Sequence, residues 1–370
     1  MEKNSNLFFV STPYHLINAS VIAYDLAKES DCTLIFIDQP YKKKSVYVDF
    51  VKLWEYSPFV NVHIFYSKGK NEKGKYKYRK NVLRKIKKLI LKYKPNVIYT
   101  GNDRRIEFIR GFTKMKSMNP RSKCIYFDDG LLSYVVHEYG WESFLEIFFK
   151  KLYYGFWYNR QQIVGGSDFI DMSIISFPDF CHYKLKTKPS KKIDYSNLNN
   201  KEFQDFANII FNGYEEDSRE LKKLDMVLIL PHLKELKKFK NHYYNIKKVF
   251  NQISGGHIRI GIKYHPFHYQ DSFKFYENKS FKLISPDIPF ELITLILKPK
   301  TIILGDVSTV LLTAKSLRQD LKVISIKNPK DSRQEKINEL SSKIGIEKLD
   351  SINGIITVSY THLRAHETRI

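Results

Sequence analysis

The sequence predicts an α/β protein with two domains, each built around a parallel sheet. Short runs of β-branched and aromatic residues alternate with helical stretches along the chain, which is the pattern of repeated strand–helix–strand units. Most of these runs are apolar throughout, as buried parallel strands are. The 370 residues suffice for two domains of roughly 100 to 200 residues each. Two successive series of this kind indicate two Rossmann-like domains that face each other across a cleft.

The first series lies in the predicted domain 1–183 and contains six strands. We expect them at residues 7–12, 32–38, 60–66, 96–101, 123–128 and 173–177. A helix is predicted over residues 13–29, because Thr12 is a suitable N-cap and Pro13 a favourable first helical residue. Residues 79–93 carry apolar side chains near helical spacing and predict a second helix.

A polar stretch rich in Lys, Asn and Ser interrupts this pattern and predicts a linker over residues 184–204. The second predicted domain, 205–357, continues the alternation. We expect its strands at residues 226–231, 258–264, 281–285, 301–304 and 322–326. The last residues, 358–370, are mostly polar and resemble a translated sequencing adapter, so we expect a non-native tail and exclude it from the fold prediction.

The composition limits the classes of binding partner and the cellular compartments that fit this protein. Lysine and arginine outnumber acidic residues 62 to 39, for a net charge of +23, which favours polyanions, anionic lipid surfaces or phosphorylated substrates. We expect no nucleic-acid partner, because no known nucleic-acid-binding motif is present. The three cysteines are widely spaced, which excludes a disulfide framework and a cysteine zinc site. The apolar runs are too short for a membrane span or a signal peptide, which predicts a cytoplasmic protein.

Residues that directly follow strands are the candidates for chemistry, because ligands of open α/β sheets bind at the carboxyl ends of the strands. Asp128, Asp129 and Gly130 follow the fifth predicted strand and suit either a general base or an ordinary polar turn. Neighbouring side chains of an extended chain point to opposite sides, so only one of the two carboxylates is expected to face the cleft. Thr12 and Asn102 follow two other strands and are predicted to line the same cleft.

Three motifs of the second domain suit a phosphorylated ligand. His265 and Pro266 place an imidazole, which can donate to a phosphate, beside a proline that restrains the backbone. Glu291 lies in the first turn of a predicted helix, where a carboxylate binds ribose hydroxyls or only stabilises the helix dipole. Ser308 and Thr309 lie at a strand-to-helix turn, where they form either an anion site or a simple N-cap.

In this order the motifs resemble those of the bacterial sialyltransferases, which carry an acidic pair followed by glycine, then a His-Pro element and then a hydroxyl pair. The segment VSTPYHLINA, residues 10–19, is similar to the N-terminal turn of glycosyltransferase family 52, a group related to the bacterial polysialyltransferases. The resemblance spans about residues 7–330. Ser308 and Thr309 replace a common Ser-Ser pair, which keeps both hydroxyls.

The resemblance implies a GT-B fold and an inverting, metal-independent transfer of sialic acid from CMP-sialic acid to a hydroxyl of a lipooligosaccharide or capsule glycan. No cofactor is implied beyond this donor substrate. Asp128 would be the general base, with Asp129 as the alternative. His265 would donate a proton or a hydrogen bond to the departing CMP phosphate. Ser308 and Thr309 would bind the same phosphate, and Glu291 the ribose. The predicted substrate-binding residues are Pro266, Glu291, Ser308, Thr309, Thr12, Asn102 and Gly130.

Two other functions fit parts of the pattern. A CDP-glycerol glycerophosphotransferase of the teichoic-acid type would also carry a His-Pro element and a Ser-rich phosphate loop. A non-enzymatic basic protein that binds nucleic acid would make the strand-end motifs coincidental. The acidic pair and the VSTPYHLINA turn favour the sialyltransferase.

The positive charge is concentrated near an aromatic stretch. Residues 68–94 contain thirteen lysines and arginines against one acid, Glu72, and residues 141–160 are rich in aromatic side chains. Such a combination binds anionic bilayers. It predicts peripheral attachment to the cytoplasmic face of the inner membrane.

Overall fold

Two parallel β-sheets organise the residues described in the computed structural model. These residues are 4–40, 45–68, 73–137, 143–159, 162–214, 218–254, 258–266, 273–275, 278, 280–306, 308–326 and 335–357. The chain divides into two units, Met1–Ile210 and Phe211–Ile370, with one sheet in each. The predicted tail, 358–370, lies outside the described residues.

The first unit contains a seven-stranded sheet in the order β3-β2-β1-β4-β5-β6-β7, parallel throughout. Its strands are β1 (Asn4–Val10), β2 (Ser30–Pro40), β3 (Phe59–Ser67), β4 (Val97–Thr100), β5 (Lys123–Phe127), β6 (Met172–Ile175) and β7 (Ser190–Lys192). Its helices are α1 (Pro13–Leu26), α2 (Val46–Phe50), α3 (Lys75–Tyr93), α4 (Ile106–Met118), α5 (Phe144–Tyr154), α6 (Tyr183–Lys186) and the first part of α7 (Lys201–Gly213). Successive residues of the central strands are buried, because helices cover both sheet faces.

The second unit repeats this architecture with six parallel strands in the order β10-β9-β8-β11-β12-β13. They are β8 (Met226–Ile229), β9 (Ile260–Lys263), β10 (Phe281–Ile284), β11 (Ile302–Gly305), β12 (Lys322–Ile326) and β13 (Glu347–Leu349). The helices are α8 (Ser218–Lys222), α9 (Leu233–Lys238), α10 (Lys240–Ile253), α11 (Phe290–Ile296), α12 (Thr309–Leu317) and α13 (Glu335–Lys343). Strands β8, β9, β11 and β12 are almost entirely buried and form the centre of this core.

Every strand predicted from the sequence is confirmed, with only small shifts at the strand ends. The N-cap at Thr12 and Pro13 at the first helical position are also confirmed, since the Thr12 hydroxyl accepts the His15 N–H at 3.1 Å. Two edge strands, β7 and β13, were not expected. Each is three residues long and mostly exposed, and β7 is polar throughout, so neither carries an apolar signal.

The predicted linker, residues 184–204, is not an unstructured connection. It holds part of α6, the edge strand β7 and the start of α7, and β7 pairs with β6 in the first sheet. The boundary between the units falls later, between Ile210 and Phe211 inside α7. The polar side chains of this stretch suggested a linker. Strand β7 is nevertheless held in the sheet by backbone hydrogen bonds, which form whatever the polarity of the side chains. Among the described residues, no helix is both long enough and apolar enough to cross a bilayer.

Candidate active site

The carboxyl ends of β1, β4 and β5 bring together the predicted site residues of the first unit. These three strands are neighbours in the sheet, so the segments that follow them lie at one edge. The segment after β1 carries Thr12 and His15, that after β4 carries Asn102, and that after β5 carries the acidic pair. Thr12, Asn102 and the acidic pair therefore lie at one edge of the first sheet, and their predicted place in a substrate cleft stays a prediction.

Asp128 is completely buried, and its carboxylate accepts three hydrogen bonds. The donors are the Gly130 N–H at 2.8 Å, the Ser176 N–H at 2.9 Å and the Tyr134 hydroxyl. Burial, together with the adjacent negative charge of Asp128, raises the pKa of Tyr134 well above its usual range, so the phenol stays a donor. Asp128 thus connects β5, the following turn and the end of β6.

Gly130 is required by the conformation of that turn. Its φ is 89°, in the region where residues with a side chain are strained. In this turn the Gly130 N–H donates to the Asp128 carboxylate at 2.8 Å. Gly130 thus has a structural role in this turn, and its predicted contact with substrate stays a prediction.

The Asp129 carboxylate does not share the hydrogen-bond donors of Asp128 and pairs with a histidine instead. Its Oδ1 lies 2.5 Å from Nε2 of His15, and the side chains of His15 and Asp129 are 1% and 8% exposed. On the other side of the ring, Nδ1 of His15 accepts the Ser11 N–H at 3.4 Å and lies 3.2 Å from the Ser11 hydroxyl. A neutral imidazole that accepts at Nδ1 carries its proton at Nε2 and donates it to the carboxylate. Asp129 is therefore held as an oriented carboxylate at the edge of the sheet.

Gly101 makes room for this pair. A Cβ added at Gly101 would lie 2.4 Å from Nε2 of His15, the same atom that contacts Asp129. No side chain fits there unless the imidazole moves. The sequence shows that Gly101 directly follows β4. The structure shows that a glycine is needed there because the His15 side chain of α1 occupies the space of a Cβ.

We expect Gly101→Ala to displace the His15 ring and lower the enzymatic rate by about 10²-fold, since a displacement of about 1 Å in a site can cost that much. Gly111→Ala is the matched control, because its added Cβ would contact the buried Phe9 ring at 2.7 Å. Both variants disturb packing, but only the first disturbs the His15–Asp129 pair. Steady-state kinetics and thermal unfolding check this; equal losses of activity in the two folded variants would contradict it.

Thr12 and Asn102 have structural contacts of their own. The Thr12 hydroxyl caps α1, which fixes the first turn that carries His15. Asn102 closes a tight turn, since its N–H donates to the Thr100 hydroxyl at 3.0 Å and its side-chain oxygen accepts the Arg104 N–H at 3.2 Å. Both are partly exposed at the sheet edge. Their predicted contacts with substrate stay predictions.

The carboxyl ends of β8 and β9 place two histidines together in the second unit. The rings of His232 and His265 lie edge to face with centroids 5.0 Å apart. Nδ1 of His232 accepts the Lys234 N–H at 3.2 Å, which holds that ring at the start of α9. His265 is partly exposed and Pro266 is exposed. Sequence reasoning singled out His265 but missed His232, although Pro231-His232 after β8 is a further histidine at a strand end.

Lys263 lies directly before this histidine segment and is buried. It is 3% exposed, and its Nζ lies 3.3 Å from the Tyr264 carbonyl oxygen. Burial lowers the pKa of Lys263 from 10.5 to about 8, against the opposing influence of the carboxylates of Glu291 and Asp287. Glu291 is in the first turn of α11, as predicted, and is partly exposed. The Glu291 carboxylate favours the charged form of Lys263 on the neighbouring strand β9, an electrostatic influence that the sequence did not predict.

We expect Lys263→Met to stabilise the protein at pH 7, because the wild type must keep a charge buried there. Between pH 8 and 10.5 the unfolded chain holds this proton more strongly than the folded one, so the wild-type free energy of unfolding rises with pH. A pKa change from 10.5 to about 8 corresponds to about 3 kcal/mol, at about 1.36 kcal/mol per unit. Urea unfolding should show that the variant exceeds the wild type in free energy of unfolding by less at pH 10 than at pH 7. The same difference at both pH values would contradict the lowered pKa of Lys263.

The hydroxyl pair lies where β11 leads into α12. Ser308 is the N-cap of this nine-residue helix, with extended backbone and no capping bond from its side chain, and Thr309 is its exposed first residue. The hydroxyls are therefore close to the N–H groups of the first helical turn. Asp306 just before them accepts a hydrogen bond from the Tyr243 hydroxyl and lies 3.9 Å from Nε2 of His242.

Over the described residues, no three His, Cys, Asp or Glu side chains converge as a metal site requires. Metal-independent chemistry stays a prediction.

Comparison with known proteins identifies the fold and the family. The chain is similar in structure to UDP-GlcNAc 2-epimerase from Methanocaldococcus jannaschii, with a TM-score of 0.54, 15% identity, and coverage of 95% of this chain and 91% of that one. Another UDP-N-acetylglucosamine 2-epimerase matches with a TM-score of 0.50 and 14% identity over 92% of this chain and 87% of that one. These similarities concern the fold, a GT-B-like α/β fold of two parallel sheets with alternating helices. No curated protein gives a significant match.

The family model described as alpha-2,8-polysialyltransferase matches residues 6–327. This range includes every residue that the sequence predicted for the site. It confirms the predicted relation to the bacterial polysialyltransferases, while the similarity of residues 10–19 to family 52 stays a prediction. The chain belongs to the alpha-2,8-polysialyltransferase family of glycosyltransferases.

Proposed function

We propose that this glycosyltransferase moves sialic acid from CMP-sialic acid to a hydroxyl of a bacterial surface glycan, with inversion and without a metal ion. The family supports the sialyl group as the one transferred. One observation carries the chemistry: the Asp129 carboxylate, oriented by His15 at 2.5 Å, stands at the carboxyl edge of the first sheet. An oriented carboxylate at a ligand-binding edge is the arrangement that a general base needs.

Asp129, rather than Asp128, is the general base in this proposal. Asp128 is fully buried and is already engaged by three donors, so a substrate hydroxyl could reach it only by breaking them. Asp129 has one contact to its carboxylate, from His15, among the described residues. As the acceptor oxygen attacks the sugar, its O–H bond breaks and the proton passes to Asp129. The His15 hydrogen bond keeps this carboxylate in place.

In this proposal, residues of the second unit bind the departing nucleotide and stabilise its negative charge. The bond between the sialic acid carbon and the phosphate oxygen breaks, which leaves the electron pair and the negative charge on CMP. His265 donates to that phosphate, and Ser308, Thr309 and the first N–H groups of α12 bind it. The partial positive charge of a helix N-terminus lowers the energy of this developing anion.

Glu291 binds the ribose hydroxyls in this proposal. Its position at the start of α11 and its partial exposure support this role. The influence of its carboxylate on the pKa of Lys263 supports this role as well, because Lys263 is the last residue of β9 and lies two residues before His265. Both ribose and phosphate would thus be held by segments that follow neighbouring strands.

The test of the function is a comparison of donors. The purified protein is incubated with CMP-sialic acid or CDP-glycerol, together with galactosides and oligosialic acids as acceptors. We expect CMP release and acceptor extension with CMP-sialic acid alone. Turnover of CDP-glycerol without turnover of CMP-sialic acid would replace the proposal with a glycerophosphotransferase, and no turnover of either would reject both.

A further inference from the structure

Helix α5 presents an unusual surface, because none of its residues is buried. Its exposed apolar side chains and one just beyond its end share a single side, and we call them the apolar stripe: Phe144, Leu145, Phe148, Phe149, Leu152 and Phe156. Their exposed fractions range from 46% at Phe148 to 82% at Phe144 and Phe156. The spacing of one, three and four residues from Phe144 to Leu152 repeats the helical period, so these five side chains form one continuous face, and Phe156 follows just beyond the end of the helix. Large contiguous apolar faces on a protein surface mark interaction sites.

The opposite face of α5 holds the helix on its own unit. Glu146, Lys150 and Tyr154 recur every four residues and line a cavity of about 460 Å³ together with residues of α3 and α4. Ser143 and Glu146 form a reciprocal capping box at the start of the helix. The indole N–H of Trp157 donates to the Tyr154 carbonyl at 2.8 Å just beyond its end. The polar face of the helix is therefore turned toward α3 and α4, local hydrogen bonds stabilise both of its ends, and the apolar stripe is left outward.

The neighbouring helix α3 supplies a strong positive charge. It contains nine lysines and arginines and no acidic residue. Lys80 lies 4.8 Å from the centroid of the Tyr153 ring, and the rings of Tyr76 and Tyr153 are 5.9 Å apart, so the start of α3 lies against the end of α5. The exposed cations of α3 are Lys77, Arg84, Lys85, Lys87, Lys88 and Lys92. An apolar stripe beside a row of cations is complementary to a surface that is apolar inside and anionic outside.

We propose that α5 is a membrane-docking helix that inserts its apolar stripe into the interface of an anionic bilayer, while the cations of α3 contact the lipid headgroups. Helices with this division of faces lie in the plane of the interface, and basic residues beside them add attraction to anionic lipids. The charge of α3 selects an anionic bilayer over an uncharged apolar partner. This inference concerns where the protein binds and does not depend on the reaction proposed above.

The experiment is flotation of the full chain with vesicles of phosphatidylcholine alone or with phosphatidylglycerol added. We expect binding to the vesicles that contain phosphatidylglycerol, weak binding to phosphatidylcholine alone, and release at high salt, since surface charges are screened there. The double variant Phe149→Ser/Leu152→Ser should bind at least about tenfold more weakly, because it removes apolar area from the interface. Leu53→Ser is the matched control, since Leu53 is similarly exposed, at 64%, but lies outside the stripe.

A second pair of variants tests the charge. Lys85→Glu/Lys88→Glu should weaken binding to phosphatidylglycerol vesicles and remove most of its salt dependence. All of these side chains are exposed, so thermal unfolding should match the wild type and show that folding is retained. Equal binding to both kinds of vesicle, or unchanged binding by the stripe variant, would overturn the proposal. It would also be overturned if the wild type ignored vesicles but dimerised through the stripe, which size-exclusion chromatography would reveal.

Discussion

Asp129→Asn is expected to lower the rate of sialyl transfer by about 10²- to 10⁴-fold, the range that a positioned general base contributes. The amide keeps the size of the side chain and can still accept a hydrogen bond from His15, so the fold should be preserved. What it cannot do is take the proton from the acceptor hydroxyl. The measurements are kcat with CMP-sialic acid and a saturating acceptor, and thermal unfolding of the same preparation.

Asp128→Asn is the matched control, and it separates the two neighbouring carboxylates. An amide at position 128 cannot accept all three donors that converge on this buried carboxylate. Each buried donor left without a partner costs about 1 to 3 kcal/mol. We therefore expect a marked loss of stability, with activity retained by the folded fraction. A stable but inactive Asp128→Asn together with an active Asp129→Asn would reverse the assignment.

His265→Ala is expected to lower the rate by about 10²- to 10³-fold, as the loss of one fixed donor to a developing anion usually does. The reason is that the departing CMP phosphate would lose the imidazole proton. His265 is partly exposed at the end of β9, so removing its ring should leave the core intact. Transfer and hydrolysis of CMP-sialic acid in the absence of acceptor are measured together.

The two rates distinguish an effect on the donor from an effect on the acceptor. Loss of a group that acts on the leaving phosphate should lower transfer and hydrolysis in proportion, whereas Asp129→Asn should lower transfer more than hydrolysis. His63→Ala serves as the control for removing a histidine. His63 lies on β3, the edge strand of the first sheet, and its Nε2 is 2.9 Å from the Tyr93 hydroxyl, so it is not one of the proposed site residues. If His265→Ala affected only the KM for the acceptor, the proposed role would be rejected.

Much of the candidate site can be predicted from the sequence, because its residues occur at the ends of strands. Strand ends are local features: an apolar run stops and polar or glycine residues follow, as at Asp128, His265 and Ser308. The capping of α1 by Thr12 is equally local, since donor and acceptor are three residues apart. The two edge strands were missed for the opposite reason, because their pairing depends on a neighbouring strand and leaves little pattern in the residues.

The residues in their linear order were enough to establish the alternation of strands and helices, the order of the motifs and the family to which they belong. The folded chain was needed to show which acidic residue is buried and which is oriented by a histidine, because the deciding partners, Ser176 and His15, lie 48 and 114 residues away in the chain. It was also needed to show that the aromatic helix α5 packs by its polar side and leaves its apolar side outward. Burial and long-range hydrogen bonds assign such roles, and both depend on contacts that no local pattern contains.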